Sequence, residues 1–311
     1  MAQTLRTPDG TPISRFCFGC MQFGGKADEG ESRRLYDASR AAGINFFDTA
    51  HAYTDGRSET YLGHFAGPER DRIFVASKAN FARGASAANI HASVEESRQR
   101  LGMDFIDLYY IHRWDGTVPL EESFAALAEE KAKGRIGAIA VSNFAAWQVM
   151  KAERIAQSLG VGVAMLQPMY NLVKRQAEVE ILPMAMSEGF AVAPYSPLGG
   201  GLLSGKYAAG ATGRITDDVM YSKRYAPAWM HGAAAGLSAI AAEIGAHPAT
   251  LAVAWVARHQ GVTARIISAR SEEQLRPSLA ALDFAMDDAL YARLSALTPT
   301  PPPATDRLEE A

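Results

Sequence analysis

The strongest constraint on the fold is a regular alternation of short apolar runs with helix-like stretches along all 311 residues. The apolar runs are rich in Ile, Val and Phe and carry few polar residues, which is typical of strands that are covered on both faces. We predict eight strands, over residues 15–19, 44–48, 73–77, 105–112, 136–142, 163–167, 191–195 and 264–268.

About eight strand–helix units without an internal boundary favour a closed (β/α)8 TIM barrel of the α/β class, as a single domain over residues 1–311. An open doubly wound sheet is the alternative. That fold is expected to carry a G-x-G-x-x-G fingerprint after its first strand, and the sequence GCMQFGG at 19–25 does not match it. The barrel is therefore the favoured interpretation.

Three segments fall outside the repeat. Residues 5–13 predict an N-terminal β-hairpin with an Asp9-Gly10 turn, which could plug the bottom of the barrel. A stretch of about fifty residues after strand 7 is too long for a simple connection and predicts a functional loop with some helix of its own. Residues 298–311 are proline-rich at their start and predict an extended tail.

Composition narrows the functional classes. Hydrophobic residues make up 48% of the chain, and the net charge is −3 without long runs of one sign. Neither a nucleic acid nor a membrane is expected as a partner. Only Cys17 and Cys20 are present, on opposite faces of a predicted strand, so we expect no disulfide between them, no metal site and a cytoplasmic location.

Polar residues end or follow three of the predicted strands. Asp48 and Lys78 come directly after apolar runs, His112 closes another, and Tyr53 follows Asp48 by five positions. In a parallel barrel these residues would converge at one mouth. A tyrosine is a poor acid at neutral pH, and a neighbouring ammonium lowers its pKa. The group would then protonate a carbonyl oxygen, with hydride from a nicotinamide cofactor.

Six motifs in this order resemble the aldo-keto reductase family. They are GINFFDTAHAY at 43–53, SETYLG at 58–63, IHRWD at 111–115, VSNF at 141–144, QPMYN at 167–171 and YSPLGGG at 195–201. The resemblance implies a (β/α)8 barrel that binds NAD(P)H without a Rossmann domain. It also implies that Tyr53 is the proton donor, Lys78 its partner, Asp48 the counter-charge of that lysine, and His112 the group that orients the carbonyl.

The same resemblance assigns a cofactor site and a substrate pocket. It implies a carboxamide site, a stacking aromatic, a pyrophosphate loop and an adenosine site, with cofactor contacts from Cys20, Ser142, Asn143, Gln167, Tyr195, Ser196, Leu198, Gly200, Lys206, Ser268, Arg270, Gln274 and Ser278. Met21 and Trp114 are assigned to the substrate pocket.

The adenosine segment departs from the family pattern. Pro277 and Ser278 stand where many members have Glu and Asn, and Pro277 has no polar side chain. Arg270 can pair with a 2′-phosphate, which predicts NADPH as the cofactor, with NADH possible. The expected substrate is a small carbonyl compound: an aldehyde, a ketone or a sugar.

Two other functions stay open at this point. One is a regulatory or sensor subunit that keeps the barrel and its cofactor, since potassium-channel β subunits resemble enzymes of this family. The other is a lyase that uses Lys78 as a Schiff base. A charged Lys78 paired with Asp48 argues against the second.

Overall fold

Eight parallel strands form one sheet in the computed structural model, which describes residues 5–207, 210–305, 307 and 309. All eight predicted strands are present, with ends that differ by a few residues. They are β1 (Phe16–Gly19), β2 (Phe46–Asp48), β3 (Phe74–Lys78), β4 (Ile106–Ile111), β5 (Ile136–Ser142), β6 (Val163–Gln167), β7 (Ala191–Val192) and β8 (Arg265–Ile267).

Hydrogen bonds close the sheet into a ring. Neighbouring strands follow in the order β7-β6-β5-β4-β3-β2-β1-β8. The remaining gap is bridged by Ala264, whose amide donates to the Val192 carbonyl at 3.1 Å, and by Ile266, whose amide donates to the Pro194 carbonyl at 2.9 Å. The prediction of a (β/α)8 barrel is therefore confirmed.

Helices surround the ring. They are α1 (Glu29–Ala41), α2 (Arg57–Ala66), α3 (Ala87–Leu101), α4 (Leu120–Ala132), α5 (Ala146–Ser158), α6 (Ile181–Glu188), α7 (Arg214–Asp217), α8 (Val219–Arg224), α9 (Ala228–Glu243), α10 (Pro248–Arg258), α11 (Glu272–Leu279) and α12 (Asp288–Ser295). Within the described residues no single helix has the length and apolarity to cross a bilayer. Only α9 and α10 taken together reach that length, and they are bent by 103°.

Two apolar layers explain why the strands read as apolar throughout. Every second side chain along a strand points into the barrel. Cys17, Phe46 and Leu108 belong to the buried cluster there. The alternate side chains, such as Phe47, face the helices and belong to a second cluster. Cys20 lies in that outer cluster, and both cysteines are free, so the prediction that they form no mutual disulfide is confirmed.

The N-terminal hairpin closes the barrel from below. Arg6 and Pro12 form an antiparallel bridge, and Gly10 takes the left-handed conformation that the turn requires, with φ +87°. Leu5 belongs to the cluster inside the barrel, and Ile13 packs against it. The predicted hairpin and its position are therefore confirmed.

The long segment after β7 is more ordered than the predicted loop. It contains α7, α8 and the sixteen-residue α9, whose buried face includes Met230, Leu237 and Ile240. Alanine and glycine dominate α9 and leave it little amphipathic contrast, so the sequence pattern did not reveal it. Two positions of this segment, 208 and 209, lie outside the described residues.

The C-terminal tail begins at a fixed point. Thr298 is buried, and its Oγ1 accepts a hydrogen bond from Arg175 Nη1 at 3.2 Å. Residues 299–303 have no regular secondary structure. Part of the predicted tail, at positions 306, 308, 310 and 311, lies outside the described residues.

Candidate active site

A buried ion pair stands at the carboxyl ends of two neighbouring strands. Asp48 ends β2 and Lys78 ends β3, and neither side chain is more than 3% exposed. Lys78 Nζ donates to Asp48 Oδ1 at 2.5 Å and to the Thr49 carbonyl at 2.7 Å. Gln167 Nε2 donates to the second oxygen of Asp48 at 2.9 Å. Each buried charge is thus paired and hydrogen-bonded, which a buried ion requires.

Tyr53 and His112 complete the group. Lys78 Nζ lies 3.5 Å from the Tyr53 hydroxyl and 4.9 Å from the centre of its ring. His112 directly follows β4. Its ring stands edge-on to the Tyr53 ring, with 5.7 Å between the ring centres. The structure therefore brings together all four residues that the sequence placed near strand ends.

Burial sets the protonation of the site. It lowers the pKa of the Lys78 ammonium, but Asp48 and Tyr53 together outweigh this effect and the net pKa is raised. Burial raises the pKa of the Tyr53 phenol, and the opposing effect of Lys78 is smaller. We expected the pKa of Tyr53 to be lowered overall, but in the free protein burial dominates and the pKa is raised. Burial, with Lys78 and Arg113, lowers the pKa of His112 to about 3, so this imidazole is neutral.

The loop that carries Tyr53 is held from outside the barrel by Arg100 on α3. Arg100 Nη1 donates to the His51 carbonyl at 3.0 Å and lies 3.3 Å from Glu59 Oε2. Glu59 is fully buried and accepts a hydrogen bond from Ser77, next to Lys78, at 2.6 Å. A Cβ at Gly56 would lie 2.6 Å from Arg100 Nε. Arg100 therefore contacts the loop on both sides of Tyr53, a role that the sequence did not suggest.

The backbone directly after Tyr53 is strained. Thr54 and Asp55 both take left-handed conformations, with φ of 49° and 55°, which are rare for residues with a Cβ. Thr54 Oγ1 compensates by donating to the Phe23 carbonyl at 2.7 Å and accepting from the Ser58 amide at 3.0 Å. Such strain persists only where surrounding contacts impose it, and it is common at functional sites.

A cavity of about 670 Å³ opens above the group. Its wall includes most of the predicted site residues, namely Met21, Asp48, Tyr53, His112, Ser142, Asn143, Gln167, Tyr195, Ser196, Leu198, Gly200, Lys206, Ser268, Arg270, Gln274 and Ser278. Three predicted residues do not line it. Lys78 lies beneath Tyr53, Cys20 is fully buried in the outer core, and Trp114 faces a neighbouring cavity.

Hydroxyl and amide groups form a network beside His112. Asn143 takes a left-handed conformation, with φ 58°, and its Nδ2 donates to the His112 carbonyl at 3.0 Å. The Tyr195 hydroxyl donates to Asn143 Oδ1 at 2.7 Å, and Ser142 Oγ donates to the Gln167 carbonyl at 3.0 Å. The network fixes a polar wall next to the acid–base group.

The far end of the cavity is cationic. Lys206, Arg214 and Arg270 line it, against the single acid Glu273. In the described ranges, none of the three cations lies within ion-pair distance of a carboxylate, whereas most surface arginines elsewhere do. Burial and the guanidinium groups of Arg270 and Arg214 lower the pKa of Lys206. An end of this kind suits a ligand with several negative charges.

The turn between the two ends also suits an anion. Ser196, Gly199, Gly200 and Gly201 all have positive φ, and Gly200 and Gly201 interrupt the 3-10 segment Gly199–Ser204 with non-helical angles. Successive amides in such turns form concave anion sites. The Ser268 hydroxyl is buried without a hydrogen-bond partner in the described residues. Within the turn, the Gly199 and Gly201 amides donate to the Ser196 and Leu198 carbonyls, both at 2.9 Å, which leaves the Ser268 hydroxyl as the donor here that has no partner in the described residues.

A family model described as "Aldo/keto reductase family" matches residues 15–299. The chain belongs to this family. An uncharacterized oxidoreductase of Bacillus subtilis, YrpG, is 33% identical over 97% of both chains. A probable voltage-gated potassium channel subunit beta of rice is 32% identical over 88% of this chain and 89% of its own. Aryl-alcohol dehydrogenase [NADP(+)] of Phanerodontia chrysosporium is 30% identical over 89% and 80%. Family and relatives support carbonyl oxidoreduction in general terms.

Several residues that line the cavity were not assigned from the sequence, and two of them are prominent. Arg214 and Tyr221 come from α7 and α8, inside the segment predicted as a loop. The Arg214 guanidinium lies 5.4 Å above the Tyr221 ring, and Tyr221 stacks on Tyr225. The length and tyrosine content of the segment were the available signals, but they do not say which side chains turn inward.

Proposed function

We propose that the protein is an NADPH-dependent carbonyl reductase in which Tyr53 is the proton donor. The observation that carries the proposal is the buried Asp48–Lys78–Tyr53 contact at one end of a cavity whose other end presents three cations that form no ion pair among the described residues. The first suits acid catalysis, and the second suits a phosphorylated cofactor.

The residues divide the work as follows. Neutral His112 donates a hydrogen bond to the substrate carbonyl oxygen and holds it near the Tyr53 hydroxyl. When bound, a reduced nicotinamide supplies the hydride that the carbonyl carbon gains. Negative charge then develops on the oxygen, and the Lys78 ammonium stabilises the phenolate that remains as Tyr53 gives up its proton. Asp48 and Gln167 keep Lys78 charged and in place.

The donor set fits the cofactor. Ser142, Asn143 and Gln167 would hold the carboxamide, and Tyr195 would stack against the ring. Ser196, Leu198, Gly200 and Lys206 would hold the pyrophosphate, and the Ser268 hydroxyl, which has no hydrogen-bond partner among the described residues, would bind another phosphate or ribose oxygen.

For the adenosine, Gln274 is exposed and Ser278 is buried at 1% exposure, both in the cavity wall. Arg270 is the group proposed to favour NADPH over NADH.

An assay of the whole protein tests the proposal. We expect NADPH to bind, as measured by quenching of protein fluorescence, and to be oxidised when aldehydes, ketones or aldose sugars are added. Binding of NADPH without turnover of any member of a broad carbonyl panel would instead support a regulatory subunit, the alternative that the rice relative brings to mind.

The Schiff-base alternative has less support. A lysine that attacks a carbonyl must be neutral, whereas Lys78 is ion-paired and its pKa is raised. Borohydride with a carbonyl substrate should therefore leave the protein unmodified, and a covalent adduct at Lys78 by mass spectrometry would restore the lyase.

A further inference from the structure

A second cavity of about 360 Å³ adjoins the acid–base end of the first. It lies between the turn after β3 and the loop after β4, and its apolar wall includes Ala79, Ala82 and Ile90. Phe81 and His112 line both cavities. The two spaces therefore meet at the residue that we propose orients the substrate carbonyl.

Phe81 lies between the two cavities and lines both of them. Its ring stands edge-on to the His112 ring, 5.1 Å between centres, and is 38% exposed. The Arg113 guanidinium lies 4.8 Å above the same ring. A carbonyl held at His112 can therefore extend a substituent past Phe81 toward Arg113.

The second cavity has one acid and one arginine in its wall, and they differ in whether they can bind a ligand. Asp115 is the acid in its wall, and both carboxylate oxygens are engaged: Oδ2 accepts from the Ala85 amide, and Oδ1 accepts from the amide and hydroxyl of Thr117. Asp115 thus joins the two loops. Hydrogen bonds from Thr117 and Ala85 and, to a smaller extent, the charge of Arg113 lower the pKa of Asp115. Arg113 has no ion pair in the part of the chain that the structure describes, and a guanidinium that stacks on a ring can still donate hydrogen bonds from its edge.

Resting on the proposed function, we propose that the second cavity selects carbonyl substrates that carry an aromatic or apolar body and a distal carboxylate, which Arg113 binds. The apolar wall and Trp114 enclose the body of the substrate. Trp114 is itself held by edge-on contacts with Phe144 and Trp147, at 5.3 and 5.5 Å. The carboxylate would receive paired N–H donors from the guanidinium.

The matched probes are 4-carboxybenzaldehyde and 4-formylbenzamide, which have nearly the same shape and differ in charge. We expect wild-type kcat/KM to favour the acid by about tenfold, the size of one charge-assisted hydrogen bond. Arg113→Met should bring the ratio of the two kcat/KM values to about one. Arg113→Lys should keep part of the preference, because it keeps the charge without the planar fork.

A matched control removes a charge elsewhere. Lys131 is exposed on α4 and lines neither cavity, so Lys131→Met should preserve the ratio. Ala82→Leu narrows the second cavity and should lower kcat/KM for both benzene probes while sparing propionaldehyde.

Binding without turnover separates this inference from the proposed function. With oxidised NADP⁺ present, 4-carboxybenzaldehyde cannot be reduced, and its binding should change the tryptophan fluorescence of the protein, to which Trp114 contributes. A dissociation constant that Arg113→Met does not raise, or a wild type that prefers the amide, would overturn the inference. Failure of every carbonyl to turn over, with acid-selective binding intact, would overturn the proposed function alone.

Discussion

The two ends of the main cavity handle charge in opposite ways. At the acid–base end, Asp48 and Lys78 are almost completely buried and satisfy each other. At the far end, Lys206, Arg214 and Arg270 are partly exposed and have no carboxylate partner within ion-pair distance among the described residues. A buried ion must be compensated within the protein, whereas a cation at a wet rim can remain uncompensated until an anion arrives. On the proposed function, this difference separates the residues that take part in proton transfer from those that bind the cofactor.

The greatest loss is expected when the Asp48–Lys78 ion pair at the compensated end is broken. Lys78→Met removes the ammonium beside Tyr53, and kcat should fall by about 10²–10⁴, the usual contribution of a positioned acid and its support. It also leaves Asp48 buried and unpaired, which costs about 3–5 kcal/mol of unfolding free energy. Urea denaturation and steady-state kinetics measure the two losses.

A double variant separates these two losses. Asp48→Asn combined with Lys78→Met removes both charges, so it should recover much of the stability and none of the activity. Recovery of activity in the double variant would mean that Lys78 matters only for folding.

The uncompensated end should respond differently. Arg270→Ala is expected to weaken NADPH binding by about 10–100-fold, since a charge-assisted hydrogen bond to phosphate is worth about 1.5–3 kcal/mol. NADH binding and stability should change little. Arg276, exposed on α11 and paired with Glu272, gives the matched control Arg276→Ala. An unchanged NADPH-to-NADH ratio of dissociation constants would exclude Arg270 as the discriminator.

Substitution of Arg100 is expected to have a smaller effect. Arg100 contacts the loop that carries Tyr53, at the compensated end, without lining the cavity. Arg100→Met should lower kcat by about tenfold or more by loosening the Tyr53 loop, since small displacements of reacting groups have effects up to about 10². The NADPH dissociation constant should stay within about twofold, and the alkaline limb of the pH profile should move. Arg100→Lys should recover part of kcat. Equal loss of NADPH affinity would indicate general unfolding instead.

The smallest effect is the pH dependence. Reduction needs a protonated Tyr53, whose pKa burial raises, so kcat should be level near neutral pH and fall as the pH rises through the Tyr53 pKa. His112 has a pKa of about 3 and should add no acid limb between pH 5 and 8. A limb near pH 6.5 that disappears in His112→Gln would contradict the neutral imidazole.

The sequence predicted the barrel and the acid–base group because both depend on local pattern. Apolar strands of limited length, each followed by a helix, leave few architectures, and polar residues at strand ends must meet at one mouth. What it missed depends on packing between distant segments. Arg100 acts through contacts with His51, Glu59 and Gly56, about 40 to 50 positions away along the chain.

The residues at the cationic end of the main cavity were only partly predictable. Lys206 and Arg270 follow recognisable motifs, whereas Arg214 and Tyr221 come from α7 and α8, which have no strong periodicity. Trp114, which the resemblance assigns to the substrate pocket, lines the second cavity rather than the main one and makes ring contacts with Phe144 and Trp147.

The most direct test of Tyr53 as the proton donor is Tyr53→Phe, because this change removes one oxygen and keeps the ring that packs against His112. Single-turnover reduction of a good aldehyde substrate should slow by at least about 10², with the NADPH dissociation constant within about twofold of wild type and the unfolding midpoint nearly unchanged. Reduction at a rate near that of the wild type, with NADPH bound, would contradict Tyr53 as the proton donor.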